Sequence, residues 1–199
     1  MIYIGITGGT GAGKTTAVEA LQTFGALALD CDEIYHELLI SSDEMKAEIK
    51  SRFKDISSDG RIDRKKLGKI VWNDPISLSE LNVITHKYVN MEIEQRINMF
   101  KSQGGNIVAI DAIALIESGQ CEKCNVIVGI NAPFETRLLR IMKRDNLIKE
   151  LAELRISAQQ PESFYIENCD YILENNYDTH VMFKEKCIEF FGELIKNAS

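Results

Sequence analysis

Short β-branched runs alternate along this chain with longer stretches whose apolar residues recur every three or four positions. Ile2 to Ile6 is an apolar run of strand length that meets a glycine-rich turn at Thr7 to Gly13. Lys14 to Phe24 follows, with Ala17, Leu21 and Phe24 on one helical stripe. Gly25 stops that helix, and Ala26 to Leu29 predicts a second buried strand. Strand, loop, helix and strand within about thirty residues form a βαβ unit, which needs a parallel sheet. Ile107 to Ile110 and Val126 to Ile130 have the β-branched content of strands covered on both faces, and Tyr171 to Leu173 is a weaker strand. A closing helix, about Thr179 to Ile195, sets Val181, Ile188, Phe191 and Ile195 on one face.

Two insertions interrupt this series. The first, 31–103, is helical in pattern, with breaks at Asp59-Gly60 and at Asn73-Asp74-Pro75. Its last helix carries Leu78, Leu81, Ile84, Tyr88 and Met91 at packing spacings. The second, 134–160, is densely charged. The expected organisation is a three-layer α/β/α core with a parallel sheet, formed by 1–30, 104–133 and 161–199, carrying two helical excursions.

Composition narrows the class without choosing the function. The 199 residues are 45% hydrophobic and 27% charged, an ordinary globular balance. A net charge of -7 argues against a nonspecific nucleic-acid coat or a basic membrane surface, so neither partner is expected. No run of apolar residues is long enough to span a bilayer, and Met1 to Gly5 reads as a strand rather than an export signal. Five scattered cysteines in a chain of this size are expected to be reduced, in a cytoplasmic protein. A monomer is the expectation.

The chemistry starts at Gly8-Gly9-Thr10-Gly11-Ala12-Gly13-Lys14-Thr15, which fills every required position of the phosphate-loop pattern between a strand and a helix. Backbone N–H groups of Gly9, Gly11, Ala12 and Gly13, continuing into Lys14, Thr15 and Thr16, are expected to wrap a nucleotide phosphate at the helix N-terminus. Lys14 is placed to bridge β- and γ-phosphates, and the Thr15 hydroxyl to ligate Mg²⁺ brought with ATP. The segment Val128 to Pro133 lacks the Asn-Lys-x-Asp guanine reader of GTP switches. Two insertions suit closure over a small phosphoacceptor, which excludes water from the transfer.

Acidic residues mark the strand ends. Asp32 is the candidate to orient an attacking hydroxyl and take its proton, or else to cap the following helix. Asp30 shares that strand end, where a Mg²⁺ or substrate contact is considered for it. Asp111 closes the Ile107 run, suited to a water-bridged Mg²⁺, to orienting a site group or to capping, and Glu117 lies in the same segment. Arg137, Arg140 and Arg144 fall within about 60° of one another on a helix, with Lys143 at the edge. Arg155 and Gln159 extend the region. The stripe either meets phosphate oxygens or is a solvated face.

These segments together resemble the dephospho-coenzyme A kinase family over nearly the whole chain. The likeness is carried by Ile4 to Gly9 with the phosphate loop, Leu29-Asp30-Cys31-Asp32, Asp59 to Arg64 with Leu67-Gly68, and Leu81, Ile84 and His86. It continues through Asp111 to Gly119, Arg140 to Asp145 with Arg155 and Gln159, and Asp170 to Asn175. The resemblance implies phosphorylation of the 3′-hydroxyl of dephospho-coenzyme A by ATP, a helical substrate-binding domain at 31–103 and a lid at 134–160. It implies Asp32 as the catalytic acidic residue, Arg140 and Arg144 as lid arginines, Arg64 and His86 in the coenzyme-binding part, and Asn175 near the adenine. The chain departs from the family pattern at His86-Lys87, where His-Pro is common, and at Ile113-Ala114-Leu115-Ile116-Glu117, where Pro-Leu-Leu-Phe-Glu is common. Without the resemblance, a kinase for a nucleoside monophosphate or sugar acid, or a nucleotide-dependent binding switch, also fits the phosphate loop.

Other residues are read as structural. Cys121 and Cys124 have C-x-x-C spacing without the second ligand pair a zinc site requires. Trp72 is expected to anchor packing at a helix end. His36 and His180 are ordinary surface or partly buried residues, and His86 is either structural or a substrate-phosphate contact.

Overall fold

The structure is a computed structural model that describes residues 1–58, 61–72 and 74–197. The breaks expected at Asp59-Gly60 and at Asn73 lie outside the described residues. Internal contacts divide the chain into two compact units, Met1–Leu29 with Phe100–Ser199, and Asp30–Met99.

The first unit is built on a five-stranded sheet. Its strands are β1 (Ile2–Thr7), β2 (Leu27–Asp30), β5 (Ile107–Asp111), β6 (Val126–Asn131) and β7 (Tyr171–Glu174), in the spatial order β2-β5-β1-β6-β7. The β1–β5, β1–β6 and β6–β7 pairings are parallel, with Ile4 opposite both Ala109 and Val126. Ile107 to Ile110 are all buried, the reason this strand carries no polar alternation. Ile4 and Ile6 point to one face, where they join Ala17, Ala20 and Leu21 of α1 (Lys14–Gln22) and Phe183, Cys187 and Phe191 of α9 (His180–Asn197). Between them Gly5 faces the other side, against Leu115 and Cys124. Val181, expected on the buried face of α9, is exposed, and Phe183 and Cys187 occupy that face instead.

The charged segment after β6 forms α6 (Phe134–Asp145) and α7 (Lys149–Ser157), followed by α8 (Glu162–Asn168). Leu138 and Ile141 of α6 pack on Ala152 and Ile156 of α7, and Asn146 in the left-handed region closes α6. All five cysteines are free thiols. Burial pushes the Cys124 thiol up to about 11, which favours its protonated form at neutral pH.

The second unit holds α2 (Cys31–Ser41), α3 (Asp43–Arg52), the two-residue strands β3 (Ser57–Ser58) and β4 (Arg61–Ile62), α4 (Arg64–Trp72), and α5 (Pro75–Ser102), which continues past Met99. Its core gathers Leu39, Met45, Ile49, Phe53, Ile56, Leu67, Val71, Leu81 and Ile84. Asp74 caps α5 by accepting from Ile76 N at 3.0 Å and from Ser77 Oγ at 2.6 Å, with Pro75 at the first helical position. The helix runs unbroken through His86 and Lys87, where Lys87 Nζ and Tyr88 Oη both donate to Glu48 Oε2, at 2.8 and 2.7 Å. Two expected packing positions, Leu78 and Met91, are exposed; the buried stripe runs through Ser77, Leu81, Ile84, Thr85, Val89, Ile93 and Ile97. Trp72 is 84% exposed, contrary to the expectation that it anchors packing at a helix end. Among the described residues, no helix is long and apolar enough to cross a membrane.

Candidate active site

β1 ends at Thr7 and α1 begins at Lys14, so residues 8–13 form the loop at the carboxyl edge of the central strand. There β1 connects through α1 to β2 on one side, while its neighbour β6 connects to β7 on the other, the position where open parallel sheets bind ligands. Ala12 N donates to Gly9 O at 3.1 Å, closing the loop on itself. Gly13 has φ 113°, and a Cβ there would lie 2.4 Å from Asn175 Nδ2, so glycine is required by both conformation and space. Lys14 Nζ folds back to donate to Gly8 O at 3.0 Å, which holds an ammonium over the loop. The backbone N–H groups of Lys14 and Thr15 open α1, where the helix dipole favours an anion. Thr15 is exposed and Thr16 buried.

Side chains from distant segments grip the loop's carbonyl side. Arg137 Nε donates to Thr10 O at 2.9 Å, and its Nη2 to Gln159 Oε1 at 3.0 Å. That Gln159 oxygen also accepts from Thr10 N at 2.9 Å. Arg140 Nη1 reaches Gly11 O at 3.2 Å and Ala12 O at 3.4 Å, while its Nη2 donates to Asn175 Oδ1 at 3.4 Å. The buried Asn175 donates from Nδ2 to Ala12 O at 2.7 Å, so its amide sits beneath the phosphate loop. Burial pushes the pKa of both Arg137 and Arg140 down from the ordinary guanidinium value.

Arg144 lies farther along α6 and is exposed. Its Nε and Nη2 bind Asp145 Oδ1 and Oδ2 at 2.7 and 2.9 Å, and Arg155 donates to the same carboxylate. The hydrogen bond from Arg144 holds Asp145 below the usual carboxylate range. Beside Arg140, a cavity of about 540 Å³ is lined by Pro133, Thr136, Leu139, Arg140, Asn176, Tyr177 and Asp178. Tyr177 was not legible as a site residue, since nothing in its neighbourhood forms a motif. Asp111 is half-buried at the end of β5, and Glu117 is exposed.

In the second unit, Asp30 Oδ1 accepts from both Asp32 N and Glu33 N at 2.9 Å and thereby caps α2. Asp32 therefore stands in the first turn of that helix, exposed, and the capping role considered for it belongs to Asp30. Arg64 Nη2 lies 2.8 Å from His36 Nε2, a contact that requires the imidazole nitrogen to accept. Sequence reasoning passed over His36, because a single histidine on a helix carries no spacing signal. Burial raises the Tyr35 pKa and lowers that of the half-buried His86.

A parallel sheet flanked by helices, with a complete phosphate loop after its central strand and guanidiniums behind that loop, defines a P-loop kinase. Residues 2–180 match the dephospho-CoA kinase (CoaE) family. The dephospho-CoA kinase of Lactobacillus johnsonii is 35% identical over 87% of this chain and 88% of its own. TT1252 from Thermus thermophilus superposes with a TM-score of 0.83 at 28% identity, covering 97% of each chain. The dephospho-CoA kinase from Campylobacter jejuni gives 0.69 at 26% identity over 99% and 98%. The chain belongs to the dephospho-CoA kinase family.

Among the described residues no group of three His, Cys, Asp or Glu side chains forms a metal cage. One exposed hydroxyl at Thr15 beside the loop instead suits Mg²⁺, which keeps waters and takes most of its ligands from the nucleotide's own phosphates.

Proposed function

We propose that this protein transfers the γ-phosphoryl group of ATP to the 3′-hydroxyl of dephospho-CoA, giving ADP and CoA. The observation that carries the reading is the phosphate loop at the switch point of the sheet, with the Lys14 ammonium folded over it. In the transfer the 3′-oxygen attacks the γ-phosphorus as the bond to the β,γ-bridging oxygen breaks. ADP keeps that oxygen, and Asp32 orients the acceptor hydroxyl and takes its proton as charge leaves the oxygen. Lys14 and the N–H groups of the loop, including Gly9, Gly11, Ala12, Gly13, Lys14, Thr15 and Thr16, hold the phosphates and balance the charge that develops. Mg²⁺, held by Thr15 and the phosphates, supplies further charge neutralisation on the transferring group.

The base of ATP is assigned to the cavity lined by Arg140 and Tyr177, side chains of the kinds on which a base stacks. Asn175 supports that site from under the loop. Segment 31–103 receives the acceptor through Arg64 and His86, Asp111 orients groups at the strand end, and segment 134–160 closes over ATP with Arg144 reaching its phosphates. Arg140 supports the transfer from the loop side. The deciding measurement is ADP release with and without dephospho-CoA, with the product's mass and phosphate position determined. The reading requires release that depends on the acceptor and a 3′-phosphate; equal release without acceptor, or preference for a nucleoside monophosphate, would overturn it.

A further inference from the structure

Arg137 is the arginine of its stripe nearest the start of α6, and all of its hydrogen bonds described above go to the loop or to Gln159. Together the two side chains treat Thr10 as a neighbouring strand would. Gln159 takes its N–H, Arg137 takes its C=O, and the two are joined to each other through Gln159 Oε1. The next two carbonyls, of Gly11 and Ala12, are held by Arg140 and Asn175.

Peptide planarity turns this outer grip into a constraint on the inner surface. In a trans peptide the C=O and the following N–H point in opposite directions. Holding the carbonyls of Thr10 and Ala12 outward therefore aims the N–H groups of Gly11 and Gly13 to the other side of the loop. Cations on the carbonyl ends also polarise those peptides, which strengthens the N–H ends as donors to an anion.

From this geometry we infer that Arg137, locked by Gln159, is a positioning residue that sets the shape of the phosphate loop for ATP from the side opposite the nucleotide. Gly9 accommodates the same side chain. A Cβ at Gly9 would lie 2.2 Å from Arg137 Nη2, so glycine at this unconstrained position of the motif makes room for the guanidinium. Both ends of segment 134–160 thus reach Thr10, through Arg137 in α6 and Gln159 just after α7.

The inference rests on the kinase reading but concerns the nucleotide half alone, so it is tested first by ADP binding, which needs no acceptor and no turnover. Arg137→Ala should weaken ADP binding and raise KM for ATP about tenfold, the effect expected from leaving buried polar partners unmatched. The KM for dephospho-CoA should stay unchanged. Arg137→Lys should recover part of the loss, because an ammonium still reaches one acceptor but lacks the fork that spans Thr10 and Gln159. Gln159→Ala should act in the same direction, and combining it with Arg137→Ala should add little.

The steric contact gives a separate check. Gly9→Ala should weaken ADP binding in the native background and cost far less beside Arg137→Ala, where the guanidinium is gone. Unchanged ADP affinity in a folded Arg137→Ala protein would overturn the inference. Equal rises in both KM values, or fully independent effects of Arg137→Ala and Gln159→Ala, would do the same. If acceptor-dependent turnover is absent in the native protein while these ADP effects hold, the substrate reading fails and the positioning role stands.

Discussion

Asp30 and Asp32 are two positions apart in the sequence, and the structure gives them different work. Asp30 satisfies two N–H groups at the start of α2, whereas Asp32 stands in the first turn of the helix and is exposed. Asp30→Ala should therefore destabilise the protein by about 1 kcal/mol, the usual cost of a lost N-cap. Asp32→Asn should leave the melting temperature nearly unchanged and lower kcat on the order of a hundredfold, as removal of a general base does. Melting curves and steady-state kinetics on both variants separate the roles; a large stability loss with unchanged kcat for Asp32→Asn would reverse the assignment. The sequence could not make this distinction, since either aspartate has a capping residue's chemistry and only the helix start, at Cys31, selects between them. Trp72 misled for a related reason. Its size favours burial in general, but the stripe of α4 buries Leu67 and Val71 and leaves the ring in solvent.

At the scale of elements, α6 shows how much a periodic pattern carries. Spacing placed Arg137, Arg140 and Arg144 on one stripe, and they are in one helix. Which of them touches the phosphate loop depends on tertiary packing, which a stripe does not encode. Arg137 and Arg140 hold loop carbonyls, while Arg144 pairs with Asp145 beyond their reach. If segment 134–160 closes over ATP, Arg144 must exchange this carboxylate for phosphate oxygens. Arg144→Ala should then lower kcat/KM for transfer by about tenfold to a hundredfold, with dephospho-CoA binding by calorimetry unchanged. Arg144→Lys should restore it only in part. Unaltered transfer kinetics in Arg144→Ala would leave Arg144 as one half of a surface ion pair, worth under about 1 kcal/mol. The strands were more legible than the helical insertion, because runs such as Ile107 to Ile110 are buried on both faces and need no partner to be recognised. The split between α2 and α3 at Ser42, whose side chain caps α3, lay inside a segment read simply as helical.

Over the whole molecule, the order of the sheet was hidden because the pairings of its central strand join residues about a hundred positions apart, as Ile4 with Ala109 and Val126. Hydrophobicity marks a strand but does not name its neighbour. The net charge of -7 was equally silent on the site, where guanidiniums and an ammonium concentrate on one loop of an acidic protein. Titration of the whole chain should nevertheless expose two separate groups of residues. Hydrogen bonds from the backbone N–H of Lys66, from the Ser77 hydroxyl, and from Lys87 hold Asp63, Asp74 and Glu48 below their ordinary values. Each carboxylate binds protons less readily in the folded chain, so its contribution is complete above its unfolded pKa and is lost as pH falls through the lower folded one. That limb belongs below the ordinary values of 3.8 for Asp and 4.5 for Glu. His86 behaves differently. Burial lowers its pKa from 6.5, so the unfolded chain takes up a proton there first, and stability falls as pH drops from about 6.5 toward the folded value. The melting temperature should therefore be level from pH 7 to 8, decline gently on acidification past 6.5, and fall again in the carboxylate range. His86→Asn, which cannot titrate, should abolish the upper decline and keep the acid one. An upper decline that survives in His86→Asn would assign it to another group.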